Sequence, residues 1–301
     1  MIKLEAGKTY KLQVEYFDNG GDCFAGLYWK APSAGSQNVL ARFGDAGKVA
    51  AECDVTVAVL GINKSIEREG QDRFSLELPV DQQEFIKELY KVNPNTVVVL
   101  VAGSSMAVNW MDENVPAILN AWYPGEQGGN AVAEVLFGDY NPGGRLPLTY
   151  YNSLDEIPAF DNYFVKGRTY QYFEGQPLYE FGYGLSYTKF RYKSKGVNVE
   201  QDTVKVSFEV SNTGKYDGDE VTQVYVKYPE TGTYMPLKQL HGFKRVHIKK
   251  GKTSKVTIGV PKKDLRYWDE QERKFVTPKG EYTFMVGASS DDIKFRETVG
   301  L

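Results

Sequence analysis

The stretch that decides the fold is "VTVAVLGINKSIEREGQDR", residues 55–73. It opens with an uninterrupted apolar run, Val55–Gly61, typical of a strand that is buried on both faces in a parallel sheet. A densely charged loop follows at once. Such a loop at the exit of a buried strand has two interpretations: a solvated turn that happens to be charged, or a carboxyl group directed at a ligand.

Apolar strands and amphipathic helices alternate from residue 43 to residue 150. The periodicity predicts helices over 45–54, 79–92 and 126–138, and strands over 55–61, 95–103, 115–122 and 145–151. This alternation predicts an α/β layered sandwich with a mostly parallel sheet. Ligands of such sheets gather beyond the carboxyl ends of the strands, which is where the charged loop lies.

The segments on either side of this α/β region have different patterns. Residues 1–42 alternate polar and apolar side chains and predict two strands. Residues 151–195 are rich in tyrosine, phenylalanine and glycine, and they predict a long linker that lies over another surface. Residues 196–301 contain alternating strands separated by turn residues, which indicates an all-β sandwich of the immunoglobulin or fibronectin type III kind.

Composition excludes several classes of function. The net charge of −3 provides no basic surface for nucleic acid. Two cysteines and two histidines exclude a disulfide scaffold and disfavour a zinc site, so neither a cofactor nor a metal is expected. No apolar run approaches the roughly 18 residues of a membrane span, and the first residues lack the apolar core of a signal peptide.

Five segments together resemble the carboxyl-terminal part of one enzyme family. They are "INKSIEREGQDR" (62–73), "NPNTVVVLVAGSSMAVNW" (93–110), "AILNAWYPGEQGGNAVAEVLFGDYNPGGRLPLTYY" (117–151), "GRTYQYFEGQPLYEFGYGLSYTKF" (167–190) and the terminal sandwich with "VSNTG" and "GFKRV". In this order they are similar to glycoside hydrolase family 3.

The resemblance implies a domain order. Family members carry a (β/α)₈ barrel that supplies an aspartate nucleophile, then an α/β domain that supplies a glutamate acid/base on a loop, and often a fibronectin type III-like domain. Some members insert a protective-antigen-type β-sandwich into the α/β domain, and residues 1–42 resemble its last strands. No barrel and no nucleophile motif is recognised in this sequence, so the isolated chain is expected to be inactive.

The resemblance also implies the catalytic residue. The family's acid/base lies in a Glu-Gly-x-Asp-Arg segment, which matches Glu69–Arg73 and makes Glu69 the candidate. Glu67 is the reserve candidate, because the Glu-x-Glu spacing leaves the alignment open by one step. In an extended segment both carboxyls would face the same side. The alternative interpretation pairs them with Arg68 and Arg73 as solvated loop charges.

Five residues have further expected roles in or around this loop. Gly70 allows a sharp backbone turn, and Asp72 with Arg73 is expected to form an ion pair that shapes the loop. Trp110 and Trp122 follow strand ends, where they would either wall a sugar site or pack in the core, and the sequence leaves both open.

The expected function is that of a retaining, exo-acting β-glycosidase. The loop and linker most resemble β-xylosidases, which release xylose from the non-reducing ends of xylo-oligosaccharides. β-Glucosidase and α-L-arabinofuranosidase activities are the alternatives, and a non-catalytic structural or carbohydrate-binding module is the alternative for the isolated chain. The expected partners are an oligosaccharide and an amino-terminal barrel domain, without nucleic acid or membrane, in a periplasmic or extracellular setting.

Overall fold

The computed structural model describes residues 8–11, 13, 43–232 and 234–301. The strands predicted within residues 1–42 lie outside the described residues, apart from 8–11 and 13, which belong to neither a helix nor a strand. The protective-antigen-type insert therefore stays a prediction.

The first described part is a parallel sheet flanked by helices. Its three strands lie in the order β1–β2–β3, with β2 in the middle, and both pairs are parallel. The strands are β1 (Thr56–Gly61), β2 (Thr96–Val101) and β3 (Ile118–Asn120), and the helices are α1 (Ala46–Glu52), α2 (Val80–Val92), α3 (Asn109–Asn114), α4 (Gly128–Phe137) and the single turn α5 (Thr169–Tyr172). The α/β class predicted from the alternation is confirmed.

Burial differs between the two longer strands of this sheet. β2 is central, and Val98, Val99 and Leu100 are all buried. In β1 only alternate residues are buried, and Val57 and Val59 are 46% and 65% exposed. The expectation that the apolar run of β1 is buried on both faces is therefore wrong, because β1 lies at the edge of the described sheet and only one of its faces meets the core.

The strand predicted over residues 145–151 is also absent. This segment makes one isolated bridge, between Tyr150 and Tyr179, and Leu146 exchanges backbone hydrogen bonds with Gly182 and Tyr183. Its backbone groups are satisfied by the linker rather than by the parallel sheet. Alternating side chains alone do not distinguish these two partners.

The second part is a sandwich of two antiparallel sheets with one shared core. One sheet has the order β12–β11–β6–β7 and the other β4–β5–β8. The strands are β4 (Phe190–Val199), β5 (Thr203–Asn212), β6 (Gly218–Lys227), β7 (Gln239–Ile248), β8 (Thr253–Pro261), β11 (Glu281–Gly287) and β12 (Ile293–Gly300), with a small hairpin of β9 (Tyr267–Asp269) and β10 (Lys274–Val276). Alternate inward residues of both sheets form the core, as in fibronectin type III-like domains.

β4 pairs with β5 from Phe190 onward. The domain boundary proposed at residue 196 therefore falls inside β4. A buried ion pair joins the two parts: Arg145, which follows the α/β region, meets Glu220 of β6 at 2.8 Å.

Candidate active site

The charged loop after β1 is a series of turns rather than an extended segment. The Asn63 side chain accepts hydrogen bonds from the backbone and hydroxyl of Ser65. Arg68 and Gln71 then exchange two backbone hydrogen bonds, which closes a tight turn with Glu69 and Gly70 at its tip. Gly70 has a φ of +72°, a conformation that costs other residues energy because of their Cβ.

Glu67 lies before this turn and is held by four donors. Its carboxylate accepts hydrogen bonds from the Gly103 backbone N–H at 3.0 Å, from the Tyr123 hydroxyl at 2.9 Å and from the Ser104 hydroxyl. The Arg73 Nε lies 3.4 Å from the same group. These contacts tie the loop to the carboxyl ends of β2 and β3, since Gly103 follows β2 and Tyr123 follows β3.

The same contacts determine the charge of Glu67. Partial burial raises the pKa of the Glu67 carboxyl, but the hydrogen bonds from Ser104, Tyr123 and Gly103 and the charge of Arg73 together outweigh it, and the pKa is lowered. Partial burial and the Glu67 carboxylate raise the pKa of Tyr123, so Tyr123 remains a donor. Glu67 is therefore an anion at neutral pH.

Glu69 has different surroundings from Glu67. It is exposed at the tip of the turn, and within the described residues it makes no hydrogen bond or ion pair. The turn separates it from Glu67, so the two carboxyls do not share one side as an extended segment would place them. Of the two candidates, one is fixed in the protein and the other is presented to solvent.

The predicted ion pair between Asp72 and Arg73 is not found in the part of the chain that the structure describes. Arg73 pairs with Glu67 instead, donates a hydrogen bond to the Ser105 carbonyl at 2.8 Å and contacts the Met106 sulfur. The Arg73 side chain is mostly buried by these contacts. It shapes the loop from inside the cleft, whereas Asp72 lies at the cleft's edge.

These residues surround a cleft of about 570 Å³ at the carboxyl ends of β1 and β2. This is the edge where ligands gather in open α/β sheets. It is lined by Glu67, Arg68, Gln71, Asp72, Arg73, Leu76, Gly103, Ser104, Tyr123 and Phe160. Phe160 is 81% exposed, so the cleft offers an aromatic face to solvent.

Neither tryptophan lines this cleft. Trp110 packs against the α/β core, edge-to-face with Tyr90 at 5.7 Å between ring centroids, and beneath the Lys87 ammonium. Trp122 is half-buried at the end of β3 with a φ of +56°. The aromatic residues of the cleft are instead Tyr123 and Phe160, and the signal for Tyr123 was its place directly after β3.

Within the described ranges, no group of three or more histidine, cysteine or carboxylate side chains could hold a metal ion. No helix in the same ranges is long and apolar enough to cross a bilayer.

Comparison with known proteins identifies the class of fold and then the family. Residues 7–187 match the glycosyl hydrolase family 3 C-terminal domain, and residues 220–290 match a fibronectin type III-like domain. The first match covers more than half of the chain. The chain therefore belongs to glycoside hydrolase family 3, as the sequence motifs predicted.

Three relatives illustrate the range of named activities. The chain is 42% identical to a xylan 1,4-beta-xylosidase of Xylanibacter ruminicola over 74% of this chain and 26% of that protein. It is 33% identical to a periplasmic beta-glucosidase of Salmonella typhimurium over 92% of this chain and 38% of that protein. The crystal structure of a beta-glucosidase from Kluyveromyces marxianus in complex with glucose aligns with a TM-score of 0.79 at 36% identity, over 85% of this chain and 32% of that one. The chain thus spans about a quarter to two fifths of each relative.

Proposed function

We propose that this chain is the acid/base-bearing, carboxyl-terminal portion of a retaining, exo-acting β-glycosidase, and that Glu69 is the acid/base. The observation that carries the proposal is the contrast between the two glutamates of the loop. Glu67 is bound by four donors, whereas Glu69 stands free at the tip of a tight turn.

The chemistry of glycoside cleavage favours Glu69 over Glu67. A general acid must still hold its proton when it meets the glycosidic oxygen, so its pKa has to be raised towards the working pH. The lowered pKa of Glu67 opposes that role. Within the described residues Glu69 has no donor that stabilises its charged form, and its exposed carboxyl is free to meet a glycosidic oxygen.

Glu67 then acts as a positioning residue. Its carboxylate connects the loop to Gly103, Ser104 and Tyr123, which lie on the ends of two neighbouring strands. The turn that carries Glu69 begins at the next residue, Arg68. Fixing Glu67 therefore limits where the Glu69 carboxyl can move, which is the preorganisation that a proton donor requires.

The nucleophile is proposed to come from a barrel domain outside this chain. A retaining mechanism needs a second carboxylate about 5–5.5 Å from the acid/base. The carboxyl groups that line the cleft are Glu67, which is engaged by its donors, and Asp72. The much greater length of the relatives supports a further domain, and the open cleft with its exposed Phe160 is the surface that would face it.

Xylose is the sugar that we propose, released from the non-reducing ends of xylo-oligosaccharides. The relative that is 42% identical is named a xylan 1,4-beta-xylosidase. β-Glucosidase is the second candidate, since other relatives carry that name, and α-L-arabinofuranosidase is the third. The name of the Salmonella relative supports a periplasmic setting; an extracellular one is the alternative.

The test uses a protein that joins this chain to its barrel domain. Glu69→Ala is expected to lower kcat on xylobiose by about 10²–10⁴-fold, the usual contribution of general acid–base catalysis. The loss is expected to be smaller on an aryl xyloside with a good leaving group, and azide is expected to restore turnover on it. Glu77→Ala removes an exposed carboxyl that does not line this cleft, and as the matched control it should keep most activity. Near-normal turnover of Glu69→Ala on xylobiose would rule out Glu69.

Incubation of the isolated chain with nitrophenyl xyloside and nitrophenyl glucoside tests the alternative of a non-catalytic module. The expected result is no turnover of either substrate, because the proposed nucleophile belongs to the barrel domain. Measurable turnover would place the nucleophile within these 301 residues.

A further inference from the structure

A second cleft lies between the α/β part and the sandwich, away from Glu69. It has a volume of about 570 Å³, within the range of about 300–1,000 Å³ that is usual for ligand pockets. Its wall comes from the end of α4 (residues 137–139), from Asn141, from Tyr187 at the end of the linker, and from Tyr216 and Asp217 in the turn between β5 and β6.

The second cleft shares no lining residue with the candidate active site, and the two clefts lie towards opposite ends of α4. α4 begins at Gly128, shortly after the carboxyl end of β3, and ten residues of helix extend about 15 Å. Phe137 at the carboxyl end of α4 therefore lies about one helix length from Gly128, whereas Tyr123 of the candidate active site lies shortly before α4 begins. The second cleft is therefore separate from the cleft around Glu67.

Aromatic rings dominate the surface of this second cleft. Phe137 is 85% exposed, Tyr216 59% and Tyr187 46%, although rings of this size are normally covered in a folded domain. An exposed cluster of this kind, bordered by polar groups, marks a binding surface.

Hydrogen bonds hold the cleft in shape without a ligand. The Tyr187 hydroxyl donates to the Val135 carbonyl at 2.7 Å, which fixes the ring against the end of α4. The Asn141 amide accepts from the Tyr187 backbone N–H at 2.8 Å and donates to the Asp217 carbonyl at 2.9 Å. Asn141 thus joins the linker to the turn between β5 and β6, and Tyr187 joins the linker to the end of α4.

The charges of the cleft select the kind of ligand. Asp139 and Asp217 supply carboxylates, and none of the described residues that line the cleft is a lysine or an arginine. One oxygen of the Asp217 carboxylate accepts a hydrogen bond from the Lys250 backbone N–H. No described side chain donates a hydrogen bond to this carboxylate. Carboxylates without a cation disfavour an anionic ligand and favour one rich in hydroxyl donors, while the rings favour a ligand with flat apolar faces. A neutral sugar has both properties.

We propose that this second cleft is a non-catalytic binding site for a neutral β-linked oligosaccharide or polysaccharide chain. The ring faces of the sugar stack on Phe137 and Tyr216, and its hydroxyls donate to Asp139 and Asp217. The choice of a β-linked glycan rests on the proposed function, whereas the presence of a carbohydrate site rests on the cleft itself. Such a site keeps a polymer on the enzyme while its end is cleaved elsewhere.

Electrophoresis of the 301-residue chain through gels that contain soluble xylan or mixed-linkage β-glucan tests the proposal. The wild-type chain is expected to be retarded. The double variant Phe137→Ala, Tyr216→Ala is expected to bind at least about tenfold more weakly, a change of roughly 1.4 kcal/mol. Phe275→Ala removes a similarly exposed ring of the same sandwich that does not line the cleft, and it should bind as the wild type does.

Additional variants and competitors test this binding site independently of the proposed catalytic role of Glu69. Glu69→Ala is expected to bind both polysaccharides normally, so binding and turnover fail independently. Should the double variant not fold, as judged by circular dichroism, Tyr216→Ala and Asp139→Asn alone are measured in its place. The proposal would be overturned if the wild-type chain were not retarded, or if Phe275→Ala lost as much binding as the double variant. It would also be overturned if tetramethylammonium or a proline-rich peptide released the chain from the polysaccharide while xylohexaose and cellohexaose did not.

Discussion

The sandwich and the α/β part bury their apolar strands in different ways. In the sandwich, inward residues from both sheets, such as Val206 and Phe284, are fully buried against each other. In the α/β part, the outer face of β1 exposes Val57 and Val59 although the strand is continuously apolar. The sandwich is completed by its own strands, whereas the described α/β sheet buries only one face of its edge strand.

The largest difference between the two parts is expected for core truncations. Phe208 is buried in the sandwich beside Tyr192 and Phe295, and Phe208→Ala should lower the free energy of unfolding by about 3–5 kcal/mol. Val59→Ala on the exposed face of β1 should change it by less than about 0.5 kcal/mol. Urea titration of the chain measures both. A loss at Val59 as large as that at Phe208 would show that the face is covered in solution.

The next prediction concerns the seam between the two parts, that is, the buried contact of Arg145 with Glu220. Arg145 and Glu220 are both buried, and Glu220 also accepts a hydrogen bond from the Tyr192 hydroxyl at 2.6 Å. Arg145→Ala leaves a buried carboxylate without its cation and should cost about 3–5 kcal/mol. Lys274→Ala breaks an exposed pair with Glu272 and should cost less than about 1 kcal/mol. If both changes had equal small effects on thermal unfolding, the seam would not hold the two parts together.

A pH-dependent effect is expected in the sandwich. Burial lowers the pKa of His241 to about 4, against the weaker opposing charge of Asp264, and Tyr228 hydrogen-bonds the ring at 2.8 Å. Between about pH 6.5 and 4 the unfolded chain binds a proton that the folded chain does not, so stability falls as the pH falls. His241 is expected to lower the free energy of unfolding by up to about 3 kcal/mol as the pH falls through this range.

Unfolding titrations at pH 7 and pH 4.5 measure this effect, with His241→Gln as the variant that lacks it. His247 is exposed and paired with Asp219, and His247→Gln is the matched control. The proposed origin fails if His241→Gln keeps the full loss of stability between these two pH values.

The smallest of these losses of stability is expected at the candidate active site. Glu67→Gln keeps the shape of the side chain but removes its charge, and it should cost about 1–2 kcal/mol of local stability because three hydrogen bonds weaken. Since the pKa of Glu67 is lowered, its contribution is present above pH 4.5 and is lost as the pH falls. Faster hydrogen exchange at the Gly103 amide is the readout, with Glu77→Gln as an exposed control. Unchanged exchange at Gly103 would contradict the positioning role of Glu67.

Local patterns in the sequence predicted most of the elements of the fold. The strand–helix alternation placed β1, β2, α2 and α4, and the alternating strands identified the sandwich. Residues 145–151 were assigned wrongly, because a short alternating segment has the same pattern whether it joins a sheet or pairs with a linker. The exposure of Val59 was missed for a related reason, since an apolar run does not state how many of its faces are covered.

The family and the loop with two glutamates were thus readable from the chain, because motifs and periodicity are properties of neighbouring residues. Which glutamate is engaged was not readable. Glu67 meets donors that lie 36, 37 and 56 residues away, and these come together only when strands β1, β2 and β3 align. The same alignment brings Arg73 to Glu67 instead of Asp72. Charge in a folded protein is set by what lies close in space, and that proximity is decided by the tertiary structure.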